Sequence, residues 1–269
     1  MTRNRNVHLI VGGALVGTML ALMLMSWLYV PYDVNSMNPA ERFLAPGAKH
    51  LLGTDNFGRD ILSRVMTASR TAFQVGLLTV LIGGAGGLLV GAAAGYVGGW
   101  LDEALMRLMD AMMAFPGLLL ALMLVAVFQP NLTNTILAIG LMAVPGFARI
   151  VRSGFVQYKE MDFVKAARGI GAGAFSIVFR HIFPNILSPF IVAATMSFSG
   201  AILAEAGLSY LGLGIQPPDP SWGRMLNEAQ SYIAKAPWYT LAPGLMITMT
   251  VLGFNLLGDG LRDWNDPKR

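Results

Sequence analysis

The sequence contains no cysteine and only three histidines in 269 residues. The absence of cysteine excludes disulfide bonds, thiolate zinc sites and cysteine nucleophiles. The histidines, His8, His50 and His181, are scattered along the chain, which argues against an imidazole metal cluster. We therefore predict no catalytic, cofactor-binding or metal site in this chain, and a fold held together by packing alone.

Charge is also scarce: 13% of the residues are charged and 55% are hydrophobic. Because soluble domains carry about 25% charged residues, this composition excludes an ordinary water-soluble globule and predicts a protein surrounded by membrane lipids. The formal net charge is +4, but basic residues in a membrane protein mark its cytoplasmic side. No basic stripe with interleaved aromatic residues is present, so we predict no nucleic-acid partner.

About six apolar runs approach the roughly 20 residues with which a helix crosses a bilayer. No polar stretch between them could bury a second core, which predicts an all-α, polytopic membrane protein with one transmembrane domain over residues 1–269. Dense Gly and Ala predict close helix packing, and four prolines predict kinks or breaks. The runs are Leu9–Val30, Ala72–Tyr96, Leu105–Phe128, Leu132–Val151, Ile186–Leu208 and Tyr239–Leu257, and the prolines are Pro116, Pro145, Pro189 and Pro243.

The distribution of basic residues between the runs predicts the orientation. With the N-terminus inside, 12 of the 19 Lys and Arg residues lie on the inner side, which places both termini in the cytoplasm. The first run lacks a small-residue cleavage pattern and is too long for a signal peptide, so we interpret it as an uncleaved anchor. Three segments outside the runs are long enough to fold. They are an outer segment (31–71), a cytoplasmic loop (152–185) and an outer loop (209–238).

The cytoplasmic loop has the pattern of two short helices joined by a glycine turn. Asp162 is a candidate N-cap for the first helix, and Gly171 and Gly173 are predicted to end it. A second amphipathic segment follows from Ala174 to Pro184. The periodicity fits a loop lying on the membrane surface equally well. The two predicted apolar faces consist of Phe163, Ala166, Ala167 and Ile170, and of Phe175, Val178, Phe179 and Ile182.

This loop resembles the signature loop of the inner-membrane components of binding-protein-dependent importers. That signature reads Glu-Ala-Ala, three residues, Gly, nine residues, Ile, one residue, Leu-Pro. Ala166, Ala167 and Gly171 match it at the same spacing, and Pro184 closes the loop. Lys165 stands where the signature has Glu, which affects any contact that needs a carboxylate there but leaves the turn unchanged.

In that family the loop forms a coupling helix that docks in a groove of the ATPase subunit. The resemblance therefore implies a coupling role for the cytoplasmic loop of this chain. The residues to which it gives this role are Lys165, Ala166, Ala167, Gly171, Ala172, Phe175, Phe179 and Pro184.

Residues 50–64 of the outer segment read HLLGTDNFGRDILSR. They resemble the H-x-LGTD-x-x-GRD-x-x-SR segment of the dipeptide, oligopeptide and nickel importer branch. We expect a glycine turn, capping by Thr54 or Asp55, and then a helix. Charges and glycine turns are costly to order unless the order is used, so we place this segment over the translocation path or at the binding protein. The alternative is a rigid lid with solvated charges. The candidate gate residues are His50, Gly53, Thr54, Asp55, Gly58, Arg59, Asp60 and Arg64.

Three further stretches, at 110–116, 211–223 and 254–263, resemble the same branch. The resemblance implies a type I ABC importer permease in the bacterial cytoplasmic (inner) membrane that forms half of the pathway for dipeptides or oligopeptides, with nickel chelates as the alternative. The implied partners are a second, non-identical permease, two ATP-binding subunits and a periplasmic or lipid-anchored substrate-binding protein. No G-x-x-x-x-G-K-[ST] motif occurs in the chain, so ATP and Mg are assigned to the partner subunits.

Two other function classes depend on single residues. An ion-driven secondary transporter needs ionisable groups deep in its spans, and Glu205 is the clearest candidate. Burying it costs about 2 to 3 kcal/mol, so we expect Glu205 to line the translocation pathway or to anchor a subunit interface by hydrogen bonds. An intramembrane hydrolase with Ser209 as nucleophile would need a histidine base, and no histidine lies in the outer half of a predicted span. Both classes are disfavoured.

Overall fold

The computed structural model describes residues 2–265. Lys268 and Arg269, which contributed to the charge count, lie outside the described residues. The regular elements in the described range are helical, as predicted. The α-helices are α1 (Thr2–Leu28), α2 (Ile61–Val97), α3 (Gly99–Ala114), α4 (Gly117–Phe128), α5 (Leu132–Tyr158), α6 (Asp162–Gly169), α7 (Ala174–Ser176), α8 (Phe183–Tyr210), α9 (Trp222–Ala229) and α10 (Pro237–Asn265). Short 3₁₀ turns occur at Pro39–Glu41 and Gln230–Tyr232, and a π-helical turn, Ile177–Ile182, joins α7 to α8.

Five helical segments of the described chain are long and apolar enough to cross a membrane, and a sixth is formed if α3 and α4 are counted together. This agrees with the predicted number. The five are Val7–Leu28, Ile61–Val97, Leu132–Tyr158, Ala174–Tyr210 and Pro237–Trp264.

The predicted third run is not one helix. The axes of α3 and α4 differ by 87°. Phe115 between them is extended, with φ −88° and ψ 139°, because a residue before proline is disfavoured in the helical region. Pro116 thus breaks its helix as predicted. The other three prolines do not, since α5, α8 and α10 continue through Pro145, Pro189 and Pro243.

Several helices are longer than the apolar runs that predicted them. α2 begins at Ile61 rather than Ala72, so the outer segment is a loop only up to Asp60. The helical path of α7, the π-turn and α8 passes Pro184 without a break, so the cytoplasmic loop does not close there. The ends of these helices contain polar residues, so a search for apolar runs does not detect the extensions.

α2 and α5 pack in parallel along a stripe of glycines. Gly87 and Gly91 lie one turn apart on the face of α2 that meets α5. A Cβ atom on Gly87 would lie 2.3 Å from the Phe147 Cβ, and one on Gly91 would lie 2.4 Å from the Ala148 carbonyl oxygen. Only glycine permits this approach, which confirms the predicted close packing of small residues.

α1 and α10 pack antiparallel, because Gly12 lies against Leu257 and Gly260 against Leu9. The first and last described residues therefore lie at the same end of the bundle, together with α6. We call this the α6 end. The opposite end, which carries residues 31–60 and 211–236, is called the cap end.

Candidate functional site

The start of α2 is capped by Asp60, whose carboxylate accepts hydrogen bonds from the Ser63 backbone N–H and Ser63 Oγ, both at 2.7 Å. The prediction that Thr54 or Asp55 caps this helix is wrong. Asp55 Oδ1 instead accepts from the backbone N–H groups of Phe57 (2.8 Å) and Arg59 (2.9 Å), an Asx turn that competes with helix capping. The Thr54 hydroxyl donates to the Glu41 carbonyl.

The predicted glycine turn is confirmed. Gly53 and Gly58 have φ of 75° and 76°, in the left-handed region that favours glycine. They reverse the chain on both sides of Asp55, so that Thr54 pairs with Asp60 in an isolated antiparallel bridge. The reversal aims the charged side chains of this segment into the cap.

A buried ion network lies behind this turn and joins it to α9. Arg59 Nε is 2.5 Å from Asp55 Oδ2, and Arg59 Nη2 is 2.8 Å from Glu228 Oε2. Arg64 approaches the same two carboxylates at 3.8 and 3.7 Å, and Arg224 Nε lies 3.3 Å from Glu228 Oε1. Asp55 and Arg64 are buried to 99% or more. The alternative of a lid with solvated charges is therefore wrong.

The network also fixes protonation states. Burial alone would raise the pKa of Glu228, but the cations Arg64 and Arg59 outweigh burial and hold it below its ordinary value. Burial alone would lower the pKa of Arg59, yet Asp55 and Glu228 keep it above its ordinary value. Both ions of this pair are thus charged at neutral pH.

His50 is buried in the cap between two carboxylates. Its Nδ1 lies 2.8 Å from Asp60 Oδ1 and its Nε2 lies 3.1 Å from Glu41 Oε2. The ring of Tyr32 packs against the imidazole at 4.6 Å between centroids. Lys49 pairs with Glu41, and hydrogen bonds from Lys49 and His50 hold the Glu41 pKa below its ordinary value. His50 therefore ties the chain before α2 to the cap of that helix.

At the α6 end, the first short helix begins at Asp162, but Met161 is its N-cap. The predicted N-cap is thus wrong by one residue. The Asp162 carboxylate lies in the first turn, where its negative charge interacts favourably with the helix dipole. The helix ends in a turn at Gly171, with φ +87°. The Ala172 N–H donates to the Ala167 carbonyl at 3.0 Å across this turn, which confirms the predicted glycine turn.

The predicted apolar faces of this region are partly wrong. Val164 and Ala167 on α6 are buried, with Ile177 and Ile182 of the π-turn. The π-turn has a longer repeat than an α-helix, so it rotates the second face away from the predicted one. Four large apolar side chains are left exposed, which together we call the α6 patch: Phe163 (42%), Ile170 (88%), Phe175 (76%) and Phe179 (41%).

Two members of the α6 patch contact each other, since the Phe175 and Phe179 rings lie 4.6 Å apart. Lys165 lies on α6, is more than half exposed and approaches Glu160 at 3.9 Å. Ala166 is exposed, Ala172 packs against the buried side, and Pro184 occupies the first turn of α8. An exposed apolar group of this kind is typical of a protein interaction site, and a loop lying on the membrane surface exposes one as well.

Glu205 lies inside the cap end of α8 with 1% exposure. It accepts a hydrogen bond from Ser209 Oγ at 2.6 Å, and Ser209 Oγ in turn accepts from the Ile215 N–H at 3.0 Å. These contacts lie within the chain and tie α8 to the loop after it, so the predicted anchoring of a subunit interface by Glu205 stays a prediction. A role of Glu205 in the pathway stays a prediction.

An ion pair within the predicted spans was missed from the sequence. Arg149 Nη2 lies 2.6 Å from Asp110 Oδ1, and joins α5 to α3. The charge count assigned Arg149 to the cytoplasmic side, although it falls within the predicted span Leu132–Val151. An arginine inside an apolar run is itself the signal that could have identified this site. One turn further on, Arg152 binds Asp102 through two contacts of 2.5 and 2.7 Å.

Comparison with known proteins relates these features to a family. The model of the binding-protein-dependent transport system inner membrane component matches residues 87–269. The chain is 42% identical over 98% of its length to the dipeptide transport system permease protein DppC of Alkalihalophilus pseudofirmus, with 87% of that protein covered. It is 43% identical over 95% of its length to the di/tripeptide transport system permease protein DppC of Pseudomonas aeruginosa, with 88% covered.

The glutathione transport system permease protein GsiD of Pectobacterium atrosepticum is 41% identical over 96% of the chain, with 86% of that protein covered. The fold is similar to a chain in a structure of the MetNI methionine ABC transporter in an inward facing conformation. The TM-score is 0.59 at 18% identity, over 73% of this chain and 94% of that one.

Proposed function

The chain belongs to the family of binding-protein-dependent transport system inner membrane components, and from this premise we propose that it imports short peptides. It is a permease subunit of an ABC importer, a multi-pass protein of the bacterial inner membrane and not an enzyme. The observation that carries the proposed substrate is the identity of 41 to 43% over nearly the whole chain to permeases named for dipeptides, di/tripeptides and glutathione. These names favour a peptide over a nickel chelate.

We propose a complex of this chain with a second, non-identical permease, two ATP-binding subunits that hold ATP and Mg, and a substrate-binding protein that is periplasmic or lipid-anchored. The α6 end lies in the cytoplasm in this proposal, and the cap end faces the binding protein. The common position of residues 2 and 265 supports both termini on one side, and the excess of basic residues counted there, which remains without Arg149, supports the cytoplasm as that side.

The α6 patch supports a coupling role for the cytoplasmic loop. Phe175 and Ile170 are 76% and 88% exposed beside a turn held at Gly171. Large apolar side chains on a cytoplasmic loop are unfavourable in water, and their burial in a groove of another subunit is favourable. ATP-driven motion of the ATPase subunits would move this loop and rock the attached helices α5 and α8.

The test is reconstitution of this chain with its proposed partners in proteoliposomes. We expect ATP-dependent uptake of a labelled dipeptide and ATPase activity stimulated by the peptide-loaded binding protein. A stable, transport-competent complex of this chain alone would contradict the proposed assembly. Uptake of a nickel chelate but not of any peptide would contradict the proposed substrate.

The coupling role is tested in the same assay with Phe175→Ser. Its matched control is Val127→Ser, because Val127 on α4 has the same 76% exposure but lies outside the α6 patch. We expect Phe175→Ser to weaken ATPase binding by about tenfold, as loss of a buried aromatic anchor does at other interfaces. Equal ATPase binding by both variants would contradict docking through the α6 patch.

A further inference from the structure

The Arg149–Asp110 pair involves a residue of the predicted span Leu132–Val151, near its inner end. α5 has 27 residues, so at 1.5 Å per residue it is about 40 Å long, against a hydrocarbon core of about 30 Å. Arg149 is about 14 Å from the α6 end of this helix. If the excess length of about 10 Å projects beyond that face of the membrane, Arg149 lies just inside the core.

Both members of this pair are open to their surroundings in the isolated subunit. Arg149 is 46% exposed and Asp110 is 53% exposed, with 2.6 Å between Nη2 and Oδ1. Charged side chains at this depth face a water-filled cavity or a partner rather than lipid, and they mark substrate pathways. The pair therefore points into a space that is not hydrocarbon.

A groove with both polar and apolar walls continues from Arg149 toward the α6 end. It is about 430 Å³ in volume and lies between α5 and the start of α8. Ser153 and Gln157 follow Arg149 at spacings of four residues along one face of α5, and Asn185 lies opposite on α8. Ser153 and Gln157 lie about 8 and 2 Å from the end of α5, so this groove connects the ion pair with the α6 end.

A second, apolar cavity of about 200 Å³ begins one helical turn from the pair, on the side of the cap end. It lies at the break between α3 and α4 and is lined by Met112, Met113 and Met142. Pro145, one turn before Arg149, also lines it. Methionine side chains are flexible and polarizable, so such a cavity adapts to apolar groups of different shape.

We propose that Arg149 and Asp110 bind the two charged termini of a peptide in transit, and that the methionine-lined cavity receives its side chain. A peptide that is zwitterionic has one carboxylate for the Arg149 guanidinium and one ammonium for the Asp110 carboxylate. In its absence the two residues neutralise each other, so neither state leaves an unpaired charge in the membrane. This inference rests on the proposed peptide substrate.

The course of the groove is tested by cysteine accessibility, for which the natural chain provides a cysteine-free background. In the complete transporter, Ser153→Cys and Gln157→Cys should react with a charged, membrane-impermeant thiol reagent, and the reaction should block uptake. Leu141→Cys is the control, because Leu141 is 47% exposed on the same helix but lies outside the groove. Because the reaction needs no substrate, it separates failure of this inference from failure of the proposed function. Unreactive cysteines at both groove positions in an assembled complex would overturn the inference.

Recognition of the termini is tested by comparing uptake of a dipeptide with that of its C-terminally amidated form, both at concentrations that saturate the binding protein. Arg149→Gln should lower the ratio of free to amidated uptake by about tenfold, a change of about 1.4 kcal/mol. Arg149→Lys should retain part of this preference. The control is Arg107→Gln. Arg107 belongs to a different exposed ion pair on α3, with Glu103 at 3.9 Å. An equal fall in uptake of both peptides would show that Arg149 is structural and would overturn the proposal.

Discussion

Arg59 Nη2 donates to Glu228 Oε2 at 2.8 Å across 169 positions of the chain. This contact joins the segment before α2 to α9, and the Tyr239 hydroxyl adds a third element by donating to the same oxygen at 3.0 Å. The cap-end starts of α2 and α10 are therefore linked through one carboxylate. The cap should move with these two helices as a unit when the permease changes conformation.

Replacement of Arg59 tests this linkage. Arg59→Ala removes the closest cation from the fully buried Asp55 and from the part-buried Glu228, and breaking a buried pair in this way costs about 3 to 5 kcal/mol. We expect a lower thermal unfolding midpoint in detergent and reduced uptake and binding-protein-stimulated ATPase activity. Arg42→Ala, at an exposed site of the same segment, is the control. Wild-type stability and activity in Arg59→Ala would contradict a structural role of the network.

Acidification should loosen the cap. Burial acts to raise the pKa of Glu228, but Arg64 and Arg59 hold this pKa below its ordinary value. A carboxylate with a lowered folded-state pKa stabilises the fold fully above its unfolded pKa, about 4.3, and this contribution is lost as pH falls through the folded value. We expect faster proteolysis of residues 31–60 below about pH 4.3. The acid dependence should be shallower in Glu228→Gln, and an unchanged dependence would contradict this assignment.

Gly171→Val should uncouple ATP hydrolysis from transport. Gly171 has φ +87°, where a β-branched side chain costs about 1 to 3 kcal/mol. No other atom would lie near its Cβ, so the effect arises from the backbone alone. We expect reduced uptake with normal insertion and assembly. Gly173→Val is a matched control, because Gly173 has φ −69° and equal space. Similar uptake in both variants would show that the left-handed turn is not needed for coupling.

The glycine stripe between α2 and α5 should not tolerate a methyl group. Gly91→Ala would place a Cβ 2.4 Å from the Ala148 carbonyl oxygen, and overpacking of this kind costs about 1 to 3 kcal/mol. Gly200→Ala in α8 has open space around its Cβ and serves as control. Thermal unfolding in detergent should separate the two variants. Equal midpoints would mean that the helices separate to accept the methyl group without cost.

The helical class, the number of spans and the turn at Gly171 were predictable from the sequence because each depends on local composition or on one residue's backbone preference. The N-cap at Asp60 was not, since Asp55 and Asp60 have the same capping propensity in the sequence. The choice between them was decided by Arg59, which engages Asp55 in a turn and leaves Asp60 to cap the helix. Propensity is a weak guide where two local hydrogen-bond schemes compete.

The ion pairs were beyond sequence reasoning for a different reason. Asp110 and Arg149 are 39 positions apart, and nothing in either local pattern selects the partner. Only the break at Pro116 and the packing of α3 on α5 bring them together. The burial of Ile182 away from Phe175 and Phe179 was also unpredictable, because an α-helical period places all three on one face and the chain forms a π-turn there.

The opposite charges of Arg149 and Asp110 have an electrical consequence. Movement of one elementary charge through a membrane potential changes its energy by about 2.3 kcal/mol per 100 mV. A lone arginine in α5 would therefore make each conformational change sensitive to voltage. Because Arg149 and Asp110 lie 2.6 Å apart, their joint displacement carries no net charge, and a zwitterionic peptide bound to them carries none either. This part of the transport cycle should proceed at the same rate in energised and depolarised membranes.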